Sequence, residues 1–430
     1  MIIPQIVDDY HLRDLDYSRA VGSVDLARHR WYFVKEAFSP FLVREALKHA
    51  KCKSGDVVVD PFCGSGTVPL VASETGIDST SLEVNPFLAF VSQTKLLNVS
   101  PVELEAASHH VFYKAERGME SPLEGISTFS EASKKPKWLF NAEVLRAFEG
   151  GWNASEELDK PVGDICRLAL IGAAMDSCNA IKDGKCLRYR RDWKYRRFGH
   201  DTFLRAYGKR IFQISDDLAC LSLPASSSIR LGDSRLMEAN AIPEGFKLCV
   251  TSPPYLNSFD YSDVYRPELF LGKFVSNNAE LTTLRLSTIR SHVQANWKHA
   301  VETDFGSLYN ESYKQIEERA EYLWNDKVLP MIPAYFEDIK HILQKLRSLA
   351  RVDASLWLVV ATSAYAGVEI PVDLIIADIG SKVGWHLREV GVLRYLRTTS
   401  HHWRKRLGDD YRKNPLLRES VVVFDASPRR

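Results

Sequence analysis

The 430-residue chain is 45% hydrophobic and 26% charged, enough to bury the cores of two or three compact units and too apolar for a disordered or fibrous protein. Its 56 basic and 55 acidic side chains give a net charge of +1, which excludes coating of a polyanion by overall charge, so any nucleic-acid surface has to be a local patch. The longest strongly apolar run, 168–175, falls far short of the roughly eighteen residues of a membrane span, and the opening MIIPQIVDDYHLRD carries acids where a signal peptide carries bases. A soluble, cytoplasmic protein without a membrane contact is the expectation. Seven cysteines without a CxxC pair argue for reduced thiols and against a disulfide framework or a structural zinc site.

In chain order, VVVD (57–60) reads as a buried strand that breaks into a Gly-rich turn, and 79–84 reads as a second, parallel strand reached through a crossover helix. A helical stretch follows, opening with a capping box of Ser100 and Glu103 around Pro101 and containing an apolar helix over 161–181. Strands are expected at 226–233, 247–255 and 354–362. The last of these is preceded by an amphipathic helix from Met331 with apolar residues at Ile332, Tyr335, Phe336, Ile339, Ile342, Leu343, Leu346 and Leu349. A helix over 371–383 and an antiparallel pair, HLREVGVLRYL and ESVVVFDA, close the pattern. Segment 257–326 mixes aromatic, Arg and Ser/Thr residues without a clear period. The alternation therefore assigns 1–100, 226–256 and 327–430 to one α/β core, 101–225 to a helical insertion, and 257–326 to a separate segment.

Two local signals carry chemistry. DPFCGSGT (60–67) stands at the carboxyl end of the first strand, where open α/β sheets bind ligands, and Gly64 and Gly66 allow a tight turn and a close approach of backbone to ligand. No Gly-Lys-Ser/Thr follows, so the loop is not a phosphate loop. Glu83, about twenty residues on at the end of the second strand, is placed to accept hydrogen bonds from ribose hydroxyls, which favours an adenosine-type cofactor. The second signal is SPPY (252–255), at the end of the strand expected beside the first. Its two prolines fix φ and hold the surrounding carbonyls as pre-aimed acceptors.

These residues resemble the amino-methyltransferases of DNA that use S-adenosylmethionine, marked by a D-P-F-x-G-S-G-T loop and an S/D/N-P-P-Y/F/W tetrapeptide; the Ser form is similar to the cytosine-N4 branch. The similarity extends to RHRWYFVKEAFSPFLV (28–43), SLEVNP (81–86) and GDSR (232–235). The resemblance implies a Rossmann-like α/β fold: a seven-stranded methyltransferase sheet, mostly parallel with an antiparallel final strand, plus the helical insertion. It implies that Asp60, Phe62, Gly64, Gly66 and Thr67 cradle the methionine part of the cofactor, that Glu83 holds the ribose, and that Asp233 contacts the adenine amino group. Ser39 is a candidate for the methionine carboxylate. No metal is expected.

An exocyclic base amine is a weak nucleophile because its lone pair is delocalised into the ring. The Ser252 hydroxyl and the Pro253 carbonyl, stiffened by Pro254, can accept its two hydrogens and turn the lone pair toward a methyl donor, while Tyr255 offers a stacking face to a base turned out of the duplex. Cys63, inside the glycine loop, is read as a packing residue. Basic runs interleaved with aromatics at 188–197 and 401–413 suit phosphate contacts or plain surface charge. Segment 257–326, and 284–299 within it, is a candidate for target recognition. The reading is a double-stranded DNA cytosine-N4 methyltransferase with a possible restriction or defence nuclease partner. The alternatives are an adenine-N6 DNA methyltransferase, an RNA guanine-N2 methyltransferase and a non-catalytic DNA-binding subunit.

Overall fold

The computed structural model describes residues 6–8, 10, 23–183, 186–196, 198–237, 241–396 and 415–428. After the short strand β1 (Ile6–Val7), helix α1 (Pro40–His49) starts at Ser39, whose side chain accepts from the Phe41 N–H, with Pro40 already fixed at a helical φ. Strand β2 (Val57–Asp60) feeds through the glycine loop into α2 (Thr67–Glu74), and β3 (Asp78–Glu83) feeds into α3 (Pro86–Lys95). There Asn85 caps the Phe87 and Leu88 N–H groups.

The insertion consists of α4 (Pro101–Arg117), α5 (Ala142–Glu156), α6 (Lys160–Asp176), the hairpin β4 (Ala180–Asp183) and β5 (Cys186–Tyr189), and α7 (His200–Cys220). The expected capping box does not form: Ser100 is the N-cap of α4, but its side chain makes no capping hydrogen bond. Pro101 and the first-turn Glu103 favour the start instead, through fixed φ and the helix dipole. The helix expected to reach residue 181 ends at Asp176. The apolar run continues past it because Cys178 and Ala180 are buried in a turn and a hairpin rather than on a helix face.

Strands β6 (Ser227–Leu231) and β7 (Phe246–Thr251) follow, then α8 (Tyr261–Val264), α9 (Arg266–Leu271), α10 (Asn278–Leu286), α11 (Ser307–Glu317) and α12 (Val328–Leu349). Strand β8 (Ala350–Ala361), the small hairpin β9 (Ser363–Tyr365) and β10 (Val368–Ile370), α13 (Val372–Lys382), β11 (His386–Leu396) and β12 (Leu417–Asp425) complete the chain. The described strands form one sheet in the order β1-β11-β12-β8-β7-β2-β3-β6. Every pairing in it is parallel except those of β12, which runs antiparallel to both β8 and β11. The sheet is therefore the expected Rossmann-like one with its antiparallel final strand. The two-residue β1, parallel to β11, makes eight strands where seven were read, because a strand that short carries no periodicity.

Period-two alternation explains how β8 is buried on both faces. Leu356, Leu358 and Val360 pack with α12 and α13, whereas Trp357 and Val359 pack with α1 and α2. A third core joins the insertion to α3. The segment 257–326 divides between cores: Phe259, Val264, Leu269 and Leu281 belong with the insertion, while Ile289, Phe305, Tyr309 and Ile316 pack beneath α12. Its missing period thus reflects short helices that change partner along the chain. Among the described residues no helix is long and apolar enough to cross a membrane.

Close packing of α4 on α5 gives a first prediction. A Cβ at Gly150 would stand 2.5 Å from the Lys114 carbonyl oxygen, a backbone atom with no cheap way to move. Alanine in a helix gains about 1 kcal/mol over glycine, but overpacking costs about 1–3 kcal/mol. Gly150→Ala is expected to lower stability, read as a fall in the urea midpoint; an unchanged or raised midpoint contradicts the packing.

Candidate active site

The strand order reverses around β2: the chain steps outward through β3 to β6, then returns to β7 on the other side. Ligands bind at such switch points, beyond the carboxyl ends of the strands. A cavity of about 330 Å³ lies there, within the range of small-molecule sites. It is lined by the ends of β2 (Pro61, Phe62, Cys63, Gly64, Ser65), β3 (Glu83, Val84, Asn85), β6 (Asp233, Ser234) and β7 (Ser252, Pro254, Tyr255).

The glycine loop is fastened from every side. The Cys63 N–H donates to the Leu82 carbonyl at 2.9 Å, the Gly64 N–H to Glu83 Oε2 at 2.7 Å, and Ser92 Oγ to the Gly64 carbonyl at 2.7 Å. Lys95 Nζ, fully inside, donates to the Ser65 carbonyl at 3.1 Å and to the Tyr32 carbonyl at 3.0 Å, tying the loop to the segment before α1. Asp60 Oδ1 accepts from the Phe62 N–H at 2.9 Å and from Thr251 Oγ1 at 2.7 Å, which joins the end of β2 to the end of β7.

The two glycines differ. At Gly64, with φ +53°, a Cβ would find only the Phe62 carbonyl oxygen, 3.9 Å away, so the backbone lies open to the cavity. At Gly66, with φ +82°, a Cβ would meet Ser92 at 3.0–3.1 Å. Gly66 does not line the cavity; it lets α2 approach α3, and its left-handed φ disfavours any side chain.

The other residues singled out from sequence are placed as follows. Phe62, Thr67, Glu83, Asp233, Ser252, Pro254 and Tyr255 line the cavity, whereas Asp60 and Pro253 are buried behind it. Ser39 caps α1 and does not reach the cavity, although its neighbour Phe38 does. Asp233 is held by its own neighbour, with Arg235 Nη2 on Oδ2 at 2.6 Å. Cys63 is buried, and burial pushes its thiol well above the usual range, which keeps it protonated and inert. Within 284–299, Leu284, Thr288 and Ile289 face the cavity, while Arg290 is buried against Glu337 and Asp338 rather than offered to base edges. The run 401–413 and Arg197 lie outside the described residues.

Sequence reading missed one wall of the site. Tyr255 Oη donates to Glu419 Oε1 at 2.8 Å, and Arg394 Nε donates to Glu419 Oε2 at 2.8 Å; Glu419 stands on β12 and Arg394 on β11. Glu36, which accepts from Tyr265 Oη at 2.9 Å, and the aromatic pair Phe259 and Tyr261, 4.5 Å apart, complete the lining. Glu36 lies within the 28–43 stretch already singled out, without its own role having been read there, and no local motif marks Arg394 and Glu419, which reach the cavity from the far end of the chain.

Burial governs the charges. It pushes Asp60 and Glu83 up to about 7, against the hydrogen bonds each accepts, and pushes Lys95 down to about 7. Between the ordinary carboxylate range and pH 7 the folded state holds more protons on Asp60 and Glu83 than the unfolded chain does, so their contribution to stability falls as pH rises through that window. For Lys95 the sign reverses: its contribution rises from pH 7 toward its ordinary value.

Three comparisons with known proteins found similar chains. The family described as UPF0020, RMKL-like, methyltransferase domain, matches residues 28–117, which span the segment before α1, the glycine loop and Glu83. The type II methyltransferase M.BsoBI of Geobacillus stearothermophilus is 24% identical, over 92% of this chain and 85% of its own length. The type II methyltransferase M.AvaI of Nostoc sp. is 23% identical, over 92% and 86%. Among solved structures, the rRNA methyltransferase aviRa from Streptomyces viridochromogenes aligns with 98% of this chain and 97% of its own, at 11% identity and a TM-score of 0.34. The chain is a methyltransferase, and its cofactor is S-adenosylmethionine. The residues present fit that group: Gly64 leaves open space over its backbone, and Glu83 presents a buried carboxylate at the cavity wall.

Two outcomes follow from this geometry. Gly66→Val is expected to lower the unfolding midpoint even without cofactor, because it strains φ and collides with Ser92; unchanged apo stability contradicts the packing role. Glu83→Gln is expected to gain stability relative to wild type as pH rises from 5 to 7, by on the order of 1–3 kcal/mol for a shift of this size, measured by urea unfolding at each pH. A pH-independent difference overturns the raised carboxyl.

Proposed function

We propose that the enzyme methylates the exocyclic N4 amine of cytosine in duplex DNA, with the target base turned out of the helix into the cavity. Relatives that match along most of the chain are type II methyltransferases, which supports modification of DNA; a restriction or defence nuclease that cuts the unmodified site is the partner this reading implies.

The observation that carries the reading is the state of Ser252. Its hydroxyl stands at the end of β7 and can donate its one proton to the Val359 carbonyl at 3.2 Å or to Tyr255 Oη at 3.4 Å, and either bond leaves lone pairs of Oγ at the cavity wall. A hydroxyl so oriented accepts a hydrogen from an amine and does not donate one. The bound cofactor supplies an electrophilic methyl group. We assign Glu83 to its ribose, Phe62, Gly64 and Thr67 to its methionine part, and Asp233, steadied by Arg235, to its adenine. Asp60 acts behind them by joining the two loops, and Gly66 by letting α2 close on α3.

On the substrate side, Ser252 and the carbonyl of buried Pro253 hold the amine hydrogens, with Pro254 stiffening the turn. Attack by the amine nitrogen would form the N–C bond as the bond from the methyl group to sulfur breaks with its electron pair left on sulfur, and the nitrogen, made positive, would give up one of these protons to solvent water. Tyr255 flanks the base, its ring fixed by the hydrogen bond to Glu419. The catalysis is positioning: the lone pair is aimed at the methyl group, and small errors of placement are expensive.

Purified protein incubated with mixed-sequence duplex and methyl-labelled S-adenosylmethionine, followed by digestion and mass spectrometry, is expected to yield labelled N4-methylcytosine. Labelled N6-methyladenine overturns the base assignment, and label on RNA alone overturns the DNA assignment. Ser252→Ala is expected to lower kcat about 100-fold with cofactor affinity unchanged. An unchanged rate removes Ser252 from the chemistry.

A further inference from the structure

The insertion carries a basic surface that two distant segments build together. Trp138 packs edge-on against Trp193 with ring centroids 4.8 Å apart, and Lys137 Nζ lies 5.4 Å from the centroid of the Tyr189 ring. These contacts clasp the loop before α5 to the stretch that follows β5. Each stretch is also anchored on its own side: Trp138 Nε1 donates to Asn141, and Arg190 Nε donates to the Cys178 carbonyl.

Lys134, Lys135, Lys137, Arg191 and Lys194 are all exposed in the two stretches that the clasp joins, and none of them has a carboxylate ion pair among the described residues. Arg188 and Arg196 flank them, paired with Asp183 and Asp192. Tyr195, 86% exposed, stands among these cations with its ring in solvent. In a chain of net charge +1, five such cations in two joined stretches are a strong local departure. The surface also adjoins the site. Strand β5 packs against α8, whose Tyr261 and Ser262 line the cavity.

We infer that the joined surface of 134–138 and 188–196 grips the phosphate backbone of duplex DNA beside the base that enters the cavity. The inference rests on the DNA reading above and adds the surface that holds the duplex. A duplex presents one negative charge about every 1.7 Å of its axis, and exposed cations whose charge is not neutralised by a carboxylate are free to replace its counterions. An extruded base leaves its flanking backbone at the cavity mouth, and this surface begins one short helix away. Because the contacts go to phosphates, the surface binds without regard to sequence and fixes the orientation of the duplex.

The test is equilibrium binding of a mixed-sequence duplex across a salt series, with the triple variant Lys137→Gln, Arg191→Gln, Lys194→Gln. A control triple, Lys48→Gln, Lys51→Gln, Lys53→Gln, removes the same charge from the opposite, amino end of the sheet. The patch variant is expected to lose at least about tenfold in affinity at low salt, and its plot of log K against log salt is expected to be shallower by about 0.9 per lost contact. The control is expected to keep most of the affinity and the slope. Melting temperature and S-adenosylmethionine affinity are expected to stay at wild-type values in both variants. If wild type binds duplex and the patch variant binds with the same affinity and slope, or if the control falls as far, the surface is wrong while the DNA reading stands. If wild type binds RNA but not duplex DNA, both are overturned.

Discussion

The site depends on one buried carboxyl group. Asp60 closes β2, and its Oδ1 takes the Phe62 N–H on one side and the Thr251 hydroxyl on the other. The first bond shapes the glycine loop, and the second ties that loop to the strand that ends in Ser252. Its other oxygen, Oδ2, is buried without a hydrogen-bond partner among the described residues, and desolvation dominates and pushes the group up to about 7. A protonated carboxyl there leaves no unpaired buried charge. The end of β2 and the end of β7, on two sides of the cavity, are thus held in register by a residue that does not itself line the cavity.

Around this pin, the remaining strand ends supply one function each. Glu83 accepts the loop N–H of Gly64 and the N–H of Asn85, so one carboxylate braces the loop and starts α3. Lys95, at the far end of α3, holds the Ser65 and Tyr32 carbonyls from beneath. The antiparallel strand β12 brings Glu419 against Tyr255, and β11 brings Arg394 against Glu419. These two C-terminal strands therefore set the orientation of the Tyr255 ring at the cavity wall.

The insertion is not an appendage. Its helices share one core with α3, with Trp31 and Tyr32, and with the helices that follow the SPPY turn. Glu268 makes the join concrete: it is fully buried, accepts from Tyr32 Oη at 2.6 Å and is paired with Lys182 of the insertion hairpin. A charge held this far from water is expensive to leave unpaired, so the hairpin, α9 and the segment before α1 are locked in one arrangement. The proposed grip on the duplex would then sit at a fixed distance from the cavity, as positioning catalysis requires.

Much of this was legible in the amino-acid sequence, wherever a local pattern has a local cause. VVVD breaking into DPFCGSGT can only be a strand ending in a tight loop, since glycine is what a left-handed φ at residues 64 and 66 demands. Pro-Pro after an apolar strand stiffens whatever follows it. By itself the sequence determined the α/β class, the loop, the acid at the end of the second strand and the tetrapeptide. It left undecided which glycine faces the ligand and which faces a helix, since both need the same backbone freedom. Only the tertiary structure decided that Gly66 meets Ser92, that Arg290 is spent on an internal ion pair, and that Glu419 and Arg394 wall the site. It alone brings the lysines before α5 beside the arginines after β5. Each of these is a contact between residues far apart in the chain, and no local spacing encodes a distance that closes only when the sheet and its two flanking layers pack.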